Sequence, residues 1–515
     1  MKLQLPSIFS NHMVLQRRKH VLVWGKATVG SKVSVSIAGQ KIETLAQDGT
    51  WKVKLNPMEA GGPYEMIICS ADEEICYQNV LVGEVWLAGG QSNMELELQN
   101  SDNGKQVIQE TQDERIRFFY TPKITTVCKE LEEAERKNSW MECKPNETAT
   151  WSAVGYYFAK KLSKELDVPV GIIGCNWGGT IADNWVSRES LLKHQELAHF
   201  VQEYDELVAK QDYDMYVKEL AEYKVYHAEW EKKTAEFCAQ KPDATWDEMQ
   251  EYAGICKWPG PMGPLHEYRP AGLYESMVLR VAPYTLSGAL YYQGESDEDN
   301  HTVYRLLLQN LIEEWRRLWK DDELSFAIVQ LPVYAGTGEK TGYGWGAIRK
   351  AQQDVYRTIK NTSLTVITDC GEAWNIHPTD KETVGTRLAE NVLKDIFARK
   401  EFEGNGPCAT DFTITNIDGQ GAIKVSFAGA EECFYRAGKK VIKELLLQEE
   451  SFDGFEIAGE DGVYMPAKVC VDGASLVLYD EQVANPIKSR YGCQNYFKPE
   501  LTDKNGRPVM PFWME

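Results

Sequence analysis

The sequence predicts an α/β fold, in which a mainly parallel sheet with covering helices is flanked by a β-rich module on each side. In residues 81–400, strand-like segments alternate with amphipathic helical segments such as 387–393, as in parallel α/β sheets. Residues 1–80 instead show short alternating strands, of which Trp51–Leu55 is the clearest. Residues 401–515 again combine strand-like segments with turn signals. We therefore predict three regions: an N-terminal β module, a central α/β domain and a C-terminal β module.

Length, charge and composition limit the possible functions. A chain of 515 residues exceeds one ordinary hydrophobic core, so two or three domains are expected. The net charge of −21 argues against nucleic acid or an anionic membrane as a partner. The sequence shows no secretory signal and no apolar stretch of membrane-spanning length, which predicts a cytoplasmic location. The twelve cysteines are dispersed and no phosphate or dinucleotide motif occurs, so we expect reduced thiols and neither metal nor cofactor; the oligomeric state stays open.

Two insertions interrupt the central region. The first, near residues 112–150, is polar. The second, near 188–270, is rich in Glu, Lys, Tyr and Ala and is predicted to be helical, and it ends in the loop-forming segment Trp258–Pro264. Such an insertion can form a lid or a wall of a substrate site, or a solvated helical hairpin without a function.

The most informative segment is Val85–Met94. An apolar strand ends there at Gly89 and Gly90, and Ser92 follows at the start of a helix-compatible stretch. Serine nucleophiles are presented in this way, because glycines permit a sharp turn and a helix N-terminus directs N–H groups at a developing oxyanion. The alternative interpretation is an ordinary strand-to-helix turn with a capping serine.

Three more strand-like segments end in polar or glycine-containing turns. They are Ala289–Asp297, Asp369–Pro378 after the strand-like run 364–367, and Gly171–Thr180. Ligands of open α/β sheets bind outside the carboxyl ends of the strands. Ser, Gln, Glu and His at these ends fit a serine hydrolase in which the serine precedes the histidine.

Together these motifs resemble the sialate O-acetylesterase group of the SGNH hydrolase superfamily. The matching segments, in the family's order, are His12–Gln16, Gly61–Tyr64, Gly90–Met94, Asn176–Thr180, Tyr292–Ser296, Ile376–Pro378 and Gly454–Gly459. The resemblance implies an SGNH-type, flavodoxin-like three-layer domain. It also implies a serine esterase that removes O-acetyl groups from carbohydrate through an acetyl-serine intermediate.

The resemblance assigns roles to individual residues. Ser92 becomes the nucleophile, and His377 the base that deprotonates Ser92 and later protonates the departing sugar alkoxide. We predict an oxyanion hole formed by the N–H groups of Ser92 and Gly179 and by the side-chain amide of Gln293. The superfamily usually supplies an Asn side chain for the last of these donors. Asn93 and Asn176 are interpreted as structural residues that hold the loops.

The group that orients His377 is left open by the sequence. Many SGNH hydrolases have Asp three residues before the histidine, but Trp374 stands there in this chain. The nearby alternatives are Asp369, Glu372 and Asn375. We hypothesise that Glu295 or a backbone carbonyl orients His377, in effect giving a Ser–His dyad.

The expected substrate is O-acetylated sialic acid, with acetylated xylan or other hemicellulose as the alternative. Trp345 is a candidate for stacking on a sugar face, and Arg349 for contacting a sugar carboxylate, although a buried anchor and a surface ion pair are the alternatives. A non-catalytic carbohydrate-binding protein would also suit the two β modules. A lipase or thioesterase would need an apolar lid, for which the 188–270 insertion is too polar.

Overall fold

The N-terminal strands lead into one unusually long strand. The computed structural model describes residues 2–71, 73–241, 246–336, 342–417, 419–430, 433–441 and 452–514. The N-terminal strands are β1 (Val14–Gln16), β2 (Val21–Lys26), β3 (Lys32–Ile37), β4 (Gln40–Leu45), β5 (Thr50–Leu55) and β6 (Gly61–Ser70). They are followed by β7 (Glu73–Gly90), an 18-residue strand.

Strand β7 belongs to both the N-terminal module and the central sheet. Its first half pairs with β6, and its first seven residues alternate between exposed and partly buried, as in a sheet with one wet face. From Val80 onward every residue is buried, because this half lies in the middle of the α/β layers. The predicted boundary at residue 80 therefore lies inside a continuous strand, and both regions share one hydrophobic core.

The central sheet is parallel, as the alternating pattern predicts. Its further strands are β8 (Asp113–Tyr120), β9 (Met141–Cys143), β10 (Val170–Asn176), β11 (Gly288–Tyr292), β12 (Ser325–Val329) and β13 (Thr362–Thr365). The order is β13-β12-β11-β7-β10-β8-β9, and among these seven strands only β9 pairs antiparallel, with β8.

The strand order differs from the flavodoxin-like expectation. In that arrangement the first strand lies between the second and third. Here the third parallel strand, β10, lies between β7 and β8. All seven residues of β10 are buried, which suits an interior position, whereas β8 begins with the partly exposed Asp113–Arg115 and suits a flank.

Helices cover both faces of this sheet. The helices are α1 (Ser92–Glu95), α2 (Gly104–Glu110), α3 (Lys129–Lys137), α4 (Ala153–Leu166), α5 (Arg188–Leu192), α6 (Ala198–Ala209), α7 (Tyr213–Gln240), α8 (Trp246–Ala253), α9 (Leu279–Val281), α10 (His301–Trp319), α11 (Gly344–Thr358) and α12 (Lys381–Asp395), with a π-helical turn at Tyr274–Val278. Trp86 of β7 packs on Phe158 of α4, whereas Gly89, on the opposite face, lies against Trp315 of α10. Helix α12 packs on α4, and α11 on α10. None of the described helices is both long and apolar enough to cross a bilayer.

The C-terminal region forms β structure with its own core. Its strands are β14 (Cys408–Ile417), β15 (Gln420–Ala428), β16 (Tyr435–Arg436), β17 (Lys439–Lys440), β18 (Phe455–Ala458), β19 (Met465–Pro466), β20 (Lys468–Asp472), β21 (Ser475–Tyr479), β22 (Lys488–Tyr491) and β23 (Phe512–Met514). They form two four-stranded sheets and a small hairpin, packed around a hydrophobic cluster separate from that of the α/β region. The predicted α/β class with additional β modules is confirmed; part of the predicted C-terminal module, residues 442–451, lies outside the described residues.

Candidate active site

Ser92 and His377 meet at the carboxyl edge of the central sheet. Ser92 directly follows the turn at the end of β7, where Gly90 has a φ of +129° and a side chain would collide with the carbonyl of Tyr292. His377 lies in the loop before α12, 285 residues later. Its Nε2 is 2.8 Å from Oγ of Ser92, the distance over which a hydroxyl proton passes to an imidazole.

The strand order explains why the site lies at this point. After β7 the chain runs to β8 and β10 on one side, and it then crosses to β11 on the other side. The carboxyl ends of β7 and β11 therefore flank a crevice, the position at which open α/β sheets bind ligands. Ser92 follows one of these strands and Gln293 the other.

The glycine loop after β10 lies against the serine. A Cβ placed on Gly178 would be 3.3 Å from Cβ of Ser92, and the N–H of Gly178 donates to Oε2 of Glu95 at 2.6 Å. Gly179 has a φ of +75°, a conformation that favours glycine. Within the described parts of the chain, the backbone N–H groups of Ser92 and Gly179 donate no hydrogen bond. Both remain available to an oxyanion.

The structure places the Gln293 amide away from its predicted role. Its Nε2 donates to Oδ2 of Asp297 at 2.6 Å and to the carbonyl of Thr180 at 3.2 Å, with Oε1 of Gln91 at 3.3 Å. Oε1 of Gln293 accepts from the hydroxyl of Tyr304. The side chain is fully buried and its two N–H hydrogens already face three acceptors. Gln293 therefore fixes the glycine loop to the turn after β11, which leaves the backbone N–H groups of Ser92 and Gly179 as the candidate oxyanion donors.

Glu295 contacts Asn93 rather than His377. Its Oε1 accepts from Nδ2 of Asn93 at 2.6 Å, and the same nitrogen donates to the carbonyl of Ile376 at 2.9 Å. Nζ of Lys381 donates to Oδ1 of Asn93 at 2.6 Å. Asn93 thereby joins the serine turn, the histidine loop and two buried charged groups. Burial raises the pKa of Glu295 and lowers the pKa of Lys381 to about 8.

The three nearby residues that the sequence left as alternatives for orienting His377 also form their hydrogen bonds with other groups. Asp369 forms a bidentate ion pair with Arg387, at 2.6 and 2.8 Å. Glu372 accepts from Nδ2 of Asn375, and Oδ1 of Asn375 accepts from the backbone N–H of His377. These contacts shape the loop without touching the imidazole. Within the described residues, Nδ1 of His377 has no hydrogen-bond partner, so the geometry is that of a dyad.

Charges around His377 favour its neutral form. The surrounding protein and the ammonium of Lys381 lower the pKa of His377, and the carboxylate of Glu95 opposes this shift. A neutral imidazole is the form that can accept a proton from Ser92.

Two predicted sugar contacts are wrong because both side chains are buried. Nε1 of Trp345 donates to Glu298 at 3.0 Å, and the ring packs on Tyr334. The guanidinium of Arg349 donates to the backbone carbonyls of Pro332, Gly492 and Gln494, where it joins the α/β region to the C-terminal module. The alternative of a buried anchor holds for Trp345.

Lys381 is the site residue that the sequence did not indicate. It is the first residue of α12, only four positions after His377, and is fully buried. A lysine at a helix start is usually interpreted as solvent-exposed. No group of three or more His, Cys, Asp or Glu side chains in the described ranges is arranged to hold a metal ion.

Comparisons with known proteins point to one class of enzyme. Residues 258–394, which contain Gln293, Glu295 and His377, match the family described as carbohydrate esterase, sialic acid-specific acetylesterase. The sialate O-acetylesterase of Mus musculus is 26% identical over 437 residues, which are 78% of this chain and 75% of that protein. The Homo sapiens enzyme is 25% identical over 438 residues, covering 78% of this chain and 72% of its own length.

A solved structure extends this similarity to the whole chain. The crystal structure of a carbohydrate acetylesterase from Xanthomonas citri superposes with a TM-score of 0.76 at 25% identity, covering 100% of both chains. The relatives and this structure belong to the class of enzyme that the motifs around Ser92 and His377 predict. The resemblance to the sialate O-acetylesterase family that these motifs predict is thereby confirmed.

Proposed function

We propose that this protein is a serine esterase that removes O-acetyl groups from carbohydrate, with O-acetylated sialic acid as its substrate. The observation that carries the proposal is the 2.8 Å approach of Nε2 of His377 to Oγ of Ser92, beside the N–H groups of Ser92 and Gly179, which donate no hydrogen bond to any described residue. A nucleophile, a base and oxyanion donors are the parts that ester cleavage needs. The sialate O-acetylesterase relatives supply the substrate class.

The geometry supports a two-step reaction. Oγ of Ser92 attacks the acetyl carbonyl carbon while Nε2 of His377 takes the hydroxyl proton. The carbonyl oxygen becomes an oxyanion that accepts hydrogen bonds from the N–H groups of Ser92 and Gly179. When the tetrahedral intermediate collapses, the ester bond breaks and the sugar oxygen takes the proton from His377. Water, deprotonated by His377, then attacks the acetyl-serine; the bond between the acyl carbon and Oγ breaks, Oγ of Ser92 takes the proton back from His377, and acetate leaves.

We further propose that the α/β region is an SGNH-type hydrolase domain in spite of its different strand order, since Ser92, Gly179 and His377 lie together at the carboxyl edge of its sheet. Within this site we propose that Asn93 positions the dyad. Asn93 is adjacent to the nucleophile and binds the carbonyl of the residue before His377, so it sets the distance between the two loops. Glu295 and Lys381 act on the dyad only through this amide and through their charge.

A reducing, cytoplasmic setting is also proposed, since the twelve cysteines, all of which lie in described segments, form no disulfide.

Acetate release from a substrate panel tests the proposed function. We expect release from O-acetylated sialic acid, and its loss in the Ser92→Ala variant. Release only from acetylated xylo-oligosaccharides would keep the mechanism and replace the substrate. Absence of release from every ester by folded protein would contradict the esterase proposal.

The pH dependence of kcat/KM tests the electrostatics around His377. Only neutral imidazole acts as the base, and its pKa is lowered, so the acid limb of the profile should have its midpoint below the ordinary value of 6.5. The cation of Lys381 disfavours imidazolium; the Lys381→Met variant should therefore raise the pKa and move the limb to higher pH. The Glu95→Gln variant removes an opposing charge and should move it to lower pH. Shifts in the same direction for both variants would contradict this account.

A further inference from the structure

An exposed tryptophan stands beside the candidate oxyanion hole. The side chain of Trp258, which lies near the end of the 188–270 insertion, is 51% exposed. A Cβ placed on Gly179 would lie 3.0 Å from Cζ2 of this indole. The ring is therefore a direct neighbour of Gly179, a candidate oxyanion donor, and the preceding residue, Gly178, lies against Ser92.

The surrounding insertion holds this ring in place. The hydroxyl of Tyr268 donates to the carbonyl of Gly178 at 3.1 Å, and its ring meets Trp258 edge-on, with centroids 5.8 Å apart. Tyr223 of α7 packs closely on Gly260 in the adjoining loop. The long helix α7 thus supports the loop from behind, while Tyr268 ties it to the glycine loop of the active site.

The position and exposure of Trp258 suit a ring-stacking contact. A large aromatic ring that keeps half its surface in water at a binding crevice offers a flat apolar face. The acetyl group of a substrate must reach Ser92 and the N–H of Gly179, so the rest of the molecule lies at the rim formed by these loops. A pyranose ring has an apolar face of C–H groups that matches an indole.

We propose that Trp258, buttressed by Tyr268, stacks on the pyranose ring whose acetyl ester faces Ser92. The 188–270 insertion then forms the substrate wall and sets the preference for sugar esters over simple acetyl esters. This inference rests on the proposed esterase function and adds the site that recognises the alcohol part of the ester. Trp258 replaces Trp345 as the aromatic that meets the sugar.

Comparing two esters tests the proposal. O-acetylated sialic acid carries the ring, whereas ethyl acetate has the same acetyl group and no ring. We expect the Trp258→Ala variant to lose about five- to tenfold in kcat/KM for the sugar ester and to keep that for ethyl acetate within about twofold. Trp258→Phe should retain most of the sugar activity. Tyr213→Ala, which removes another exposed aromatic of the insertion, should change neither value.

The possible results separate stacking from a structural role. An equal loss on both esters would mean that Trp258 only supports the Gly179 loop, and unchanged activity on both would mean that the ring is not used; either result overturns the proposal.

A binding measurement makes the test independent of catalysis. In the Ser92→Ala background, free sialic acid should bind about five- to tenfold more weakly when Trp258 is also Ala. If the affinity for sialic acid depended on Trp258 but the unaltered protein had no esterase activity, the stacking contact of Trp258 would stand and the proposed function would be rejected. Equal affinities of the Ser92→Ala protein with and without Trp258→Ala would reject the stacking contact, even if the unaltered protein is an active esterase.

Discussion

The Ser92→Ala and His377→Ala variants are each expected to lose at least about 10⁴-fold in kcat for acetyl esters, because nucleophile and base act as a unit. The 2.8 Å contact between them implies that neither contributes without the other. The double variant should therefore be hardly slower than either single variant. The measurement is acetate release by all three variants and the unaltered protein.

The double variant makes the dyad assignment testable. If the losses of the single variants multiplied, Ser92 and His377 would act independently, and another group would serve as the base. Thermal unfolding of each variant provides the control for folding. Both side chains lie at the open edge of the sheet rather than in the core, so Tm should change little.

The second large effect is expected at Asn93. The Asn93→Ala variant loses three hydrogen bonds and leaves the buried groups of Glu295 and Lys381 without this partner. It also releases the histidine loop from the serine turn. Because a displacement of about 1 Å can cost about 10²-fold, we expect kcat to fall by about 100-fold or more.

The Glu295→Gln variant is the matched comparison. Glutamine retains an oxygen that can accept from Asn93, so kcat should stay within about fivefold of the original value. If the carboxylate instead stabilised the imidazolium of His377 directly, the amide would cost about 10⁴-fold, as in serine proteases. Asp369→Asn should also retain kcat, since Asp369 pairs with Arg387. Abolished turnover in a folded Asp369→Asn protein would contradict the dyad.

The meeting of Ser92 and His377 at one edge of the sheet could be predicted from local sequence. Gly90 fixes a turn that a side chain would block, and Ser92 must then lie at the end of a buried strand. The strand-like run before His377 likewise places the histidine at the same edge. These inferences depend on hydrophobic alternation and backbone conformation, which are properties of short segments.

The partners of buried polar groups could not be predicted in this way. The sequence suggested Gln293 for the oxyanion and Glu295 for His377, but these residues bind Asp297 and Asn93. The hydrogen-bond partners of these two side chains depend on how four separate loops pack. Asn93 and Lys381, for example, are 288 positions apart, and nothing local indicates that the lysine is buried.

The sequence by itself determined the α/β class, the two β modules and the types of residue that follow the strands at the carboxyl edge of the central sheet. The tertiary structure decided the strand order, the contacts of Asn93, and which aromatic ring meets solvent: Trp345 is buried, whereas Trp258 is exposed beside the site. The physical reason is the separation along the chain between the residues that determine each feature. Backbone turns and hydrophobic faces are encoded by neighbouring residues, whereas the burial and hydrogen bonding of a polar or aromatic side chain depend on distant segments that pack around it.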